Sequence, residues 1–343
     1  MPARLKKFLQ TMFGFLIAVL LMVWAFSGVS LKELWASLQD VNYIWVALLI
    51  PIAIISHWLR ALRWGYLLAP VKQNISTRSL FSAVMIGFMV NNALPRVGEF
   101  TRAFAIGRSE GISKSSAFGT VVVERIIDMV TFLFILCIVL FLSPHSLDPF
   151  LGNVDAVRPL FFVGSILFLG FFVLLFFKGE SLFRLLTVLK HIVPKRFESR
   201  YQELVDSFLT GFAVTKMPGK ILTIVALSLL IYFFYALGLY VPFFAFGALS
   251  GHNLDFEASV ILLTISTIAF ALPAPGALGT YHFFITTALS KSYHVDSVTA
   301  LSYSIITHEA GYIITTVVGL YYFMKDHIRV SDVVNVTDDS KVV

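Results

Sequence analysis

Two short clusters of charge interrupt an otherwise apolar chain: Arg96, Glu99 and Arg102, then Glu124, Arg125 and Asp128. A charged side chain at the centre of a bilayer costs about 2.5–3.5 kcal/mol even on the lenient insertion scale. Such groups therefore pair, face water or meet a charged ligand. Glu124 and Asp128 lie four residues apart and share one helix face, while Arg125 projects about 100° away. Neighbouring carboxylates of this kind can share a proton, which suits a proton-coupled step. Arg96 and Arg102 flank Gly98 at a helix break, where guanidinium forks and free backbone N–H groups could hold a phosphate. Asn91 and Asn92 add neutral donors and acceptors nearby. A purely structural alternative is that Glu124, Arg125 and Asp128 lock this segment by pairing with Arg96 or Arg102. Arg60 and Arg63, beside Trp58 and Trp64, read first as snorkelling interface residues and second as site candidates. His308 reads as a core histidine, although its neighbour Glu309 leaves a proton-relay role open.

Membrane helices must position these groups. The chain is 58% hydrophobic and 13% charged, about half the charge of an ordinary soluble domain. Runs such as Val130–Leu142 and Ile221–Tyr235 do not alternate, which argues against a β-barrel. The fold class expected is an all-α polytopic membrane protein. Full spans are expected at 8–27, 41–69, 115–142, 158–177, 220–248 and 297–324. The first of these reads as a retained helix rather than a cleaved signal. Two shorter apolar segments, 79–93 and 257–272, end at matched breakers, because Ala-Leu-Pro-x-x-Gly recurs 178 positions apart, from Ala93 to Ala271. In the second copy Pro273, Pro275, Gly276 and Gly279 are the breakers, with no acid or base among them.

Basic residues mark the cytoplasmic side when counted over short loops. Arg60, Arg63, Lys72, Arg78, Arg102, Arg108 and Lys114 fall on one side, together with Lys178 through Lys220 and the C-terminal Lys325 and Arg329. That bias predicts an inner-membrane protein with both termini cytoplasmic. It holds only if the two short segments are re-entrant hairpins entering from opposite sides. Units of about 76–142 and 254–324 then form an inverted-topology repeat within a single transmembrane domain, 1–330. Matched breakers in two halves of a membrane protein point to broken helices around a central site.

Between the units, 178–219 is polar. Phe197, Tyr201, Leu204, Val205, Phe208 and Phe212 recur at helical spacing, as a surface-lying amphipathic helix or a cytoplasmic hairpin packed on the bundle would require. Residues 331–343 read as a loose cytoplasmic tail. Cys137 stands alone, which excludes a disulfide and a Cys-based metal site.

No Gly-x-Ser-x-Gly, His-Glu-x-x-His or phosphate-cradling Gly-Lys-Ser/Thr loop occurs, so no catalytic residues, metal or cofactor are expected. The motifs Asn92-Ala93-Leu94-Pro95-Arg96-Val97-Gly98-Glu99 with Arg102, Val123-Glu124-Arg125-Ile126-Ile127-Asp128, and Pro273-Ala274-Pro275-Gly276-Ala277-Leu278-Gly279 resemble those of the lysylphosphatidylglycerol synthase transmembrane-region family, also called the flippase-like domain family. The resemblance covers nearly the whole chain. In the multiple peptide resistance factor this domain is associated with moving aminoacylated phosphatidylglycerol between leaflets. The resemblance therefore implies lipid translocation, with Arg96, Glu99, Arg102, Glu124, Arg125 and Asp128 at the matching positions. Because no soluble aminoacyl-transferase domain follows the last span, the lipid need not be aminoacylated. The function expected is a stand-alone flippase-like lipid translocase. Its partners are membrane lipids, either anionic phospholipid or another polar lipid, with no nucleic acid and self-association left open. The alternatives are a membrane-embedded lipid-carrier enzyme and a non-transporting partner of a lipid-synthesis enzyme.

Overall fold

The computed structural model describes residues 3–143, 145–151, 157–186, 195–272 and 274–328, and these are helical with no strands. Fourteen α-helices follow one another among them: α1 (Ala3–Phe26), α2 (Leu31–Gln39), α3 (Tyr43–Ala47), α4 (Leu49–Leu68), α5 (Thr77–Ala93), α6 (Val97–Glu110) and α7 (Lys114–Leu142), then α8 (Asp148–Leu151), α9 (Val157–Leu186), α10 (Lys195–Phe212), α11 (Pro218–Tyr240), α12 (Phe256–Ala271), α13 (Thr280–Ser292) and α14 (Ser297–Lys325). Their starts follow local chemistry. Asn42, Ser113, Asp255 and Asp296 each accept a hydrogen bond from a first-turn backbone N–H of the helix that follows, satisfying a donor that has no partner within the helix. Gly111, at φ 65°, closes α6 in the left-handed conformation that glycine adopts without a Cβ penalty.

Four described helices are long and apolar enough to cross a membrane: Tyr43–Leu68, Lys114–Leu142, Pro159–Ser181 and Gly219–Ala245. A fifth is reached only if α1 and α2, bent by 81°, count as one broken span. Six full spans were expected. The expected last span, 297–324, corresponds to α14, which at 29 residues is long enough. Its serines, threonines, tyrosines, His308 and Glu309 leave it out of the apolar set, and it packs centrally against α2, α4, α5 and α13. The outside of the bundle is apolar instead. Leu160, Leu167, Phe168 and Leu174 project outward from α9, more exposed greasy surface than water tolerates. Apolar helices with this exterior place the protein in a membrane.

Two apolar cores fill the interior. One joins the C-terminal part of α4 to α5, α6 and the first half of α7. The other joins the second half of α7 to the end of α11, α12, α13 and α14. Along α7 the change from one core to the other falls between Ile127 and Leu133, at the middle of the helix. Asp128 sits in that gap. On α11 the same gap lies between Ile224 and Tyr232, around Ser228. Polar groups thus occupy the waist between the two cores.

Both short segments fold as helical hairpins. α5 packs on α6, and α12 packs on α13. The polar insertion resolves toward bundle packing, since α10 runs along α7 and α9. A Cβ on Gly211 would sit 2.6 Å from the Gly119 carbonyl oxygen, so glycine permits that crossing. The tail 331–343 and the stretch around Pro194 lie outside the described residues.

Candidate functional site

Most of the charged candidates converge at the waist. From α7, Glu124 and Asp128 share a face as their spacing requires, and Arg60 and Arg63 of α4 meet that face. Arg60 Nη1 donates to Glu124 Oε1 at 2.9 Å, and its Nη2 donates to Asp128 Oδ2 at 3.0 Å. Arg63 Nη2 donates to Glu124 Oε1 at 3.1 Å and to Asp128 Oδ1 at 2.5 Å. Arg102, from α6, closes the set with a bond to Glu124 Oε2 at 2.6 Å. Glu124 is 0% exposed and accepts from three guanidinium groups. Such a site is tolerable in low dielectric because every charge has a close partner of opposite sign.

α11 contributes hydroxyls on one face, at the i, i+4, i+7 spacing of Ser228, Tyr232 and Tyr235. Arg63 donates to Ser228 Oγ at 2.9 Å, Arg60 Nε donates to the Tyr235 hydroxyl at 3.3 Å, and the Tyr232 hydroxyl donates to the Asp128 carbonyl at 3.0 Å. Aromatic faces complete the enclosure. The Arg102 guanidinium lies 4.8 Å from the Trp64 ring centroid, and Arg60 lies 5.5 Å from that of Phe88. Trp64 is held by a hydrogen bond from its indole N–H to Thr120 at 3.0 Å. The hydroxyl stripe at 228, 232 and 235 is the sequence signal that would have identified α11 as part of the network.

Arg60 and Arg63 are therefore not belt residues. They are buried at the centre of the site, because the carboxylates on α7 face α4 and offset the cost of desolvating them. Nor do Arg96 and Arg102 form one anion clamp. Arg102 points inward to Glu124, whereas Arg96 sits exposed at the hairpin tip with φ 69°. The expected pair of facing carboxylates is likewise replaced by carboxylates each matched with guanidinium donors.

The network opens through its rim. Arg125, on the other face of α7, donates to Glu99 Oε1 at 3.0 Å and reaches Asp128 Oδ2 at 3.4 Å. Its side chain is 42% exposed, against 12% for Asp128. Asn91 straps the first break, accepting from Gly98 N–H at 2.8 Å and donating to Glu99 at 3.2 Å. Four guanidinium groups (Arg60, Arg63, Arg102, Arg125) against three carboxylates (Glu99, Glu124, Asp128) leave one positive charge in the cluster.

The second break is built differently. Pro275–Ala277 forms a single 3₁₀ turn in which Gly276 and Ala277 have φ 55° and 56°, and Gly279 follows at 78°. Pro273 lies outside the described residues. The two breaks meet. A Cβ on Gly276 would lie 3.2 Å from the Asn92 carbonyl oxygen and 3.0 Å from the Tyr312 ring. Asn92 also donates to Thr315 Oγ1 at 3.0 Å and Thr316 Oγ1 at 2.9 Å, which ties the first break to α14. On α14, His308 bonds the Gly276 carbonyl through Nε2 at 2.8 Å, and its Nδ1 faces Glu309 Oε1 at 3.0 Å. His282 of α13 stacks nearby, ring centroid 4.9 Å from that of His308. No metal-ligand spacing is visible along the sequence, yet folding brings His282, His308 and Glu309 together with one ligand atom from each within 4.8 Å of the others.

The family described as "Lysylphosphatidylglycerol synthase TM region" matches residues 11–319. Similar curated proteins come from archaea. A UPF0104 membrane protein of Methanothermobacter thermautotrophicus is 26% identical over 270 residues, covering 72% of this chain and 75% of the relative. UPF0104 membrane protein PH1989 of Pyrococcus horikoshii is 22% identical over 351 positions, covering 94% and 98%. UPF0104 membrane protein MJ1595 of Methanocaldococcus jannaschii is 29% identical over 122 residues, covering 35% of this chain and about a third of that relative, 36%. No solved structure matches the chain.

Proposed function

The chain belongs to the lysylphosphatidylglycerol synthase transmembrane-region family, and from that premise we propose that it is a lipid translocase that moves a polar or anionic lipid between leaflets and makes or breaks no covalent bond. One observation carries the reading: two helix breaks meet, and the first is tied through Asn91, Glu99 and Arg125 to an ion network with an excess positive charge. Non-helical backbone at membrane depth is tolerated where it is enclosed by protein or lines a polar path. The two hairpins lie in different apolar cores and touch at their tips, as hairpins entering from opposite sides of an inverted repeat would.

Division of labour follows from exposure. Arg60, Arg63, Arg102 and Glu124 are fully enclosed and hold the first hairpin against α4 and α7. The rim residues Arg96, Arg125, Glu99 and Asn91 are the groups a phosphate-bearing headgroup meets, and the acyl chains stay in lipid. Arg125 is the pivot of the scheme. A headgroup phosphate competes with Glu99 for its fork, and that exchange frees Glu99 and Asn91 to release the strap across the break.

Reconstitution in liposomes tests this reading. With headgroup-labelled anionic phospholipid, leaflet exchange should exceed that of protein-free vesicles and fall several-fold in Arg125→Gln and in Arg96→Ala while both variants remain monodisperse. Absence of exchange with every polar lipid offered, by a folded protein, overturns it. Product formation from one lipid and one donor in detergent would instead favour an enzyme.

A further inference from the structure

We propose that His282, His308 and Glu309 form a site for one divalent transition cation of the Zn²⁺ class, seated between the second helix break and α14. His308 is held by the second break. Its Nε2 lies 2.8 Å from the Gly276 carbonyl oxygen, which can only accept, so that nitrogen carries the proton. The lone pair of a neutral His308 is then on Nδ1, where it faces the Glu309 carboxylate at 3.0 Å. Either a proton or a bound metal cation satisfies two such atoms at that distance. An imidazole that donates one ring N–H to a backbone carbonyl and turns the other nitrogen to a metal is the usual arrangement around a bound ion, because the carbonyl fixes the tautomer.

A third ligand stands beside this pair. His282 is 2% exposed, and its Nδ1 is buried without a hydrogen-bond partner. A buried imidazole nitrogen left unsatisfied costs about 1–3 kcal/mol, a cost that ligation removes. Ligand atoms from all three residues lie within 4.8 Å of one another. One ion at about 2.0–2.2 Å from each nitrogen or oxygen would require these atoms to close to about 3.5 Å through side-chain rotation. The rings of Phe270, Tyr281 and Tyr312 stand around His308, while Glu309, 39% exposed at its side chain, provides the way in.

Donor chemistry selects the ion. Two imidazoles and one carboxylate suit Zn²⁺, Co²⁺ or Ni²⁺, whereas Ca²⁺ and Mg²⁺ call for six or more oxygens. Three protein ligands leave a fourth position for water. Because the Gly276 carbonyl is held by the same imidazole, the ion would fasten the second break to α14. None of this depends on the lipid reading, since the three ligands come from α13 and α14 and the carbonyl that orients His308 from the second break.

Metal titration of the full chain in detergent tests the site. After chelator treatment and its removal, Co²⁺ should bind at one equivalent per chain with the intense visible bands of a four-coordinate ion, and Zn²⁺ should displace it. His282→Gln should weaken binding by roughly 10–100-fold or more while the protein stays monodisperse, since its Nδ1 bonds nothing in the fold. Glu309→Gln should do the same, which guards against misfolding of His308→Gln, whose ring also holds Gly276. No stoichiometric Co²⁺ uptake, the weak spectrum of a six-coordinate aquo ion, or full affinity in His282→Gln each overturns the proposal. Uptake of a proton alone, with no metal bound, overturns it as well.

Discussion

The two hairpins carry the same Ala-Leu-Pro-x-x-Gly signature and use it for different ends. In the first, Gly98 lies inside α6, and its missing Cβ lets α6 approach α5. A Cβ there would sit 1.9 Å from the Gly87 carbonyl oxygen. The turn itself is made by Arg96 in the left-handed region. In the second, Gly276 is the turn, and its backbone rather than any charged side chain makes the key contact, through its carbonyl to His308. One hairpin is anchored by salt bridges and crossed by a side-chain strap. Its counterpart is anchored by backbone conformation and an imidazole. A breaker motif thus fixes where a helix ends and leaves open what the ending is for.

Substitutions can sharpen this contrast. The largest effect should come from Glu124→Ala, which leaves Arg60, Arg63 and Arg102 buried without their shared anion. Removing one partner of a buried ion network costs about 3–5 kcal/mol, to be read as a fall in thermal unfolding temperature in detergent. A variant as stable as the parent would mean that the network is solvated. Gly98→Ala comes next, at about 1–3 kcal/mol or more, because overpacking against backbone has no flexible side chain to relieve it. Gly276→Ala should cost less, about 1–2 kcal/mol for a left-handed non-glycine residue, since the nearest obstacle is the Tyr312 ring rather than its own hairpin partner. If Gly276→Ala proves the more damaging of the two, the contrast between packing and conformation is reversed.

The smallest effect belongs to the foot of the first hairpin, where Lys72 Nζ donates to Glu110 at 2.9 Å. Partial burial pushes the Glu110 carboxyl up, but hydrogen bonds from Lys72 and Ser79 outweigh it and hold the group below its ordinary value. A depressed carboxyl contributes stability above the pKa of the unfolded chain and loses it as the pH falls through the folded value. Glu110→Gln should therefore cost under about 1 kcal/mol at neutral pH and nothing once the parent carboxyl is protonated. Parallel unfolding curves at neutral and acid pH would check this.

Much of this was legible in the chain. Composition and the two charge clusters place it among polytopic helical membrane proteins, and Glu124 with Asp128 could be assigned to one face because helical periodicity is local. What could not be read was partnership across helices. Arg60 and Arg63, near the end of a span and beside tryptophans, look like interface anchors until α7 is laid against α4. His282 and His308 are separated by a whole turn and helix, so no linear spacing reports their meeting. α14 falls outside the apolar set for a related reason: a helix surrounded by other helices can carry hydroxyls and charges that a lipid-facing one cannot.

Gly279 has a consequence for how the protein is made. A Cβ there would fall 2.1 Å from the Ala18 carbonyl oxygen, and Trp24 of α1 stacks on Phe283 of α13 at 4.4 Å. α1 therefore docks on a helix synthesised long after it. At roughly 5–20 residues per second, the 250 or so residues between them take about 10–50 s to synthesise. Throughout that interval the face of α1 that meets Gly279 and Phe283 lacks its partner on α13. The contact between α1 and α13 is thus among the last to form as the chain is made, and a ribosome stalled before Gly279 would leave α1 without it.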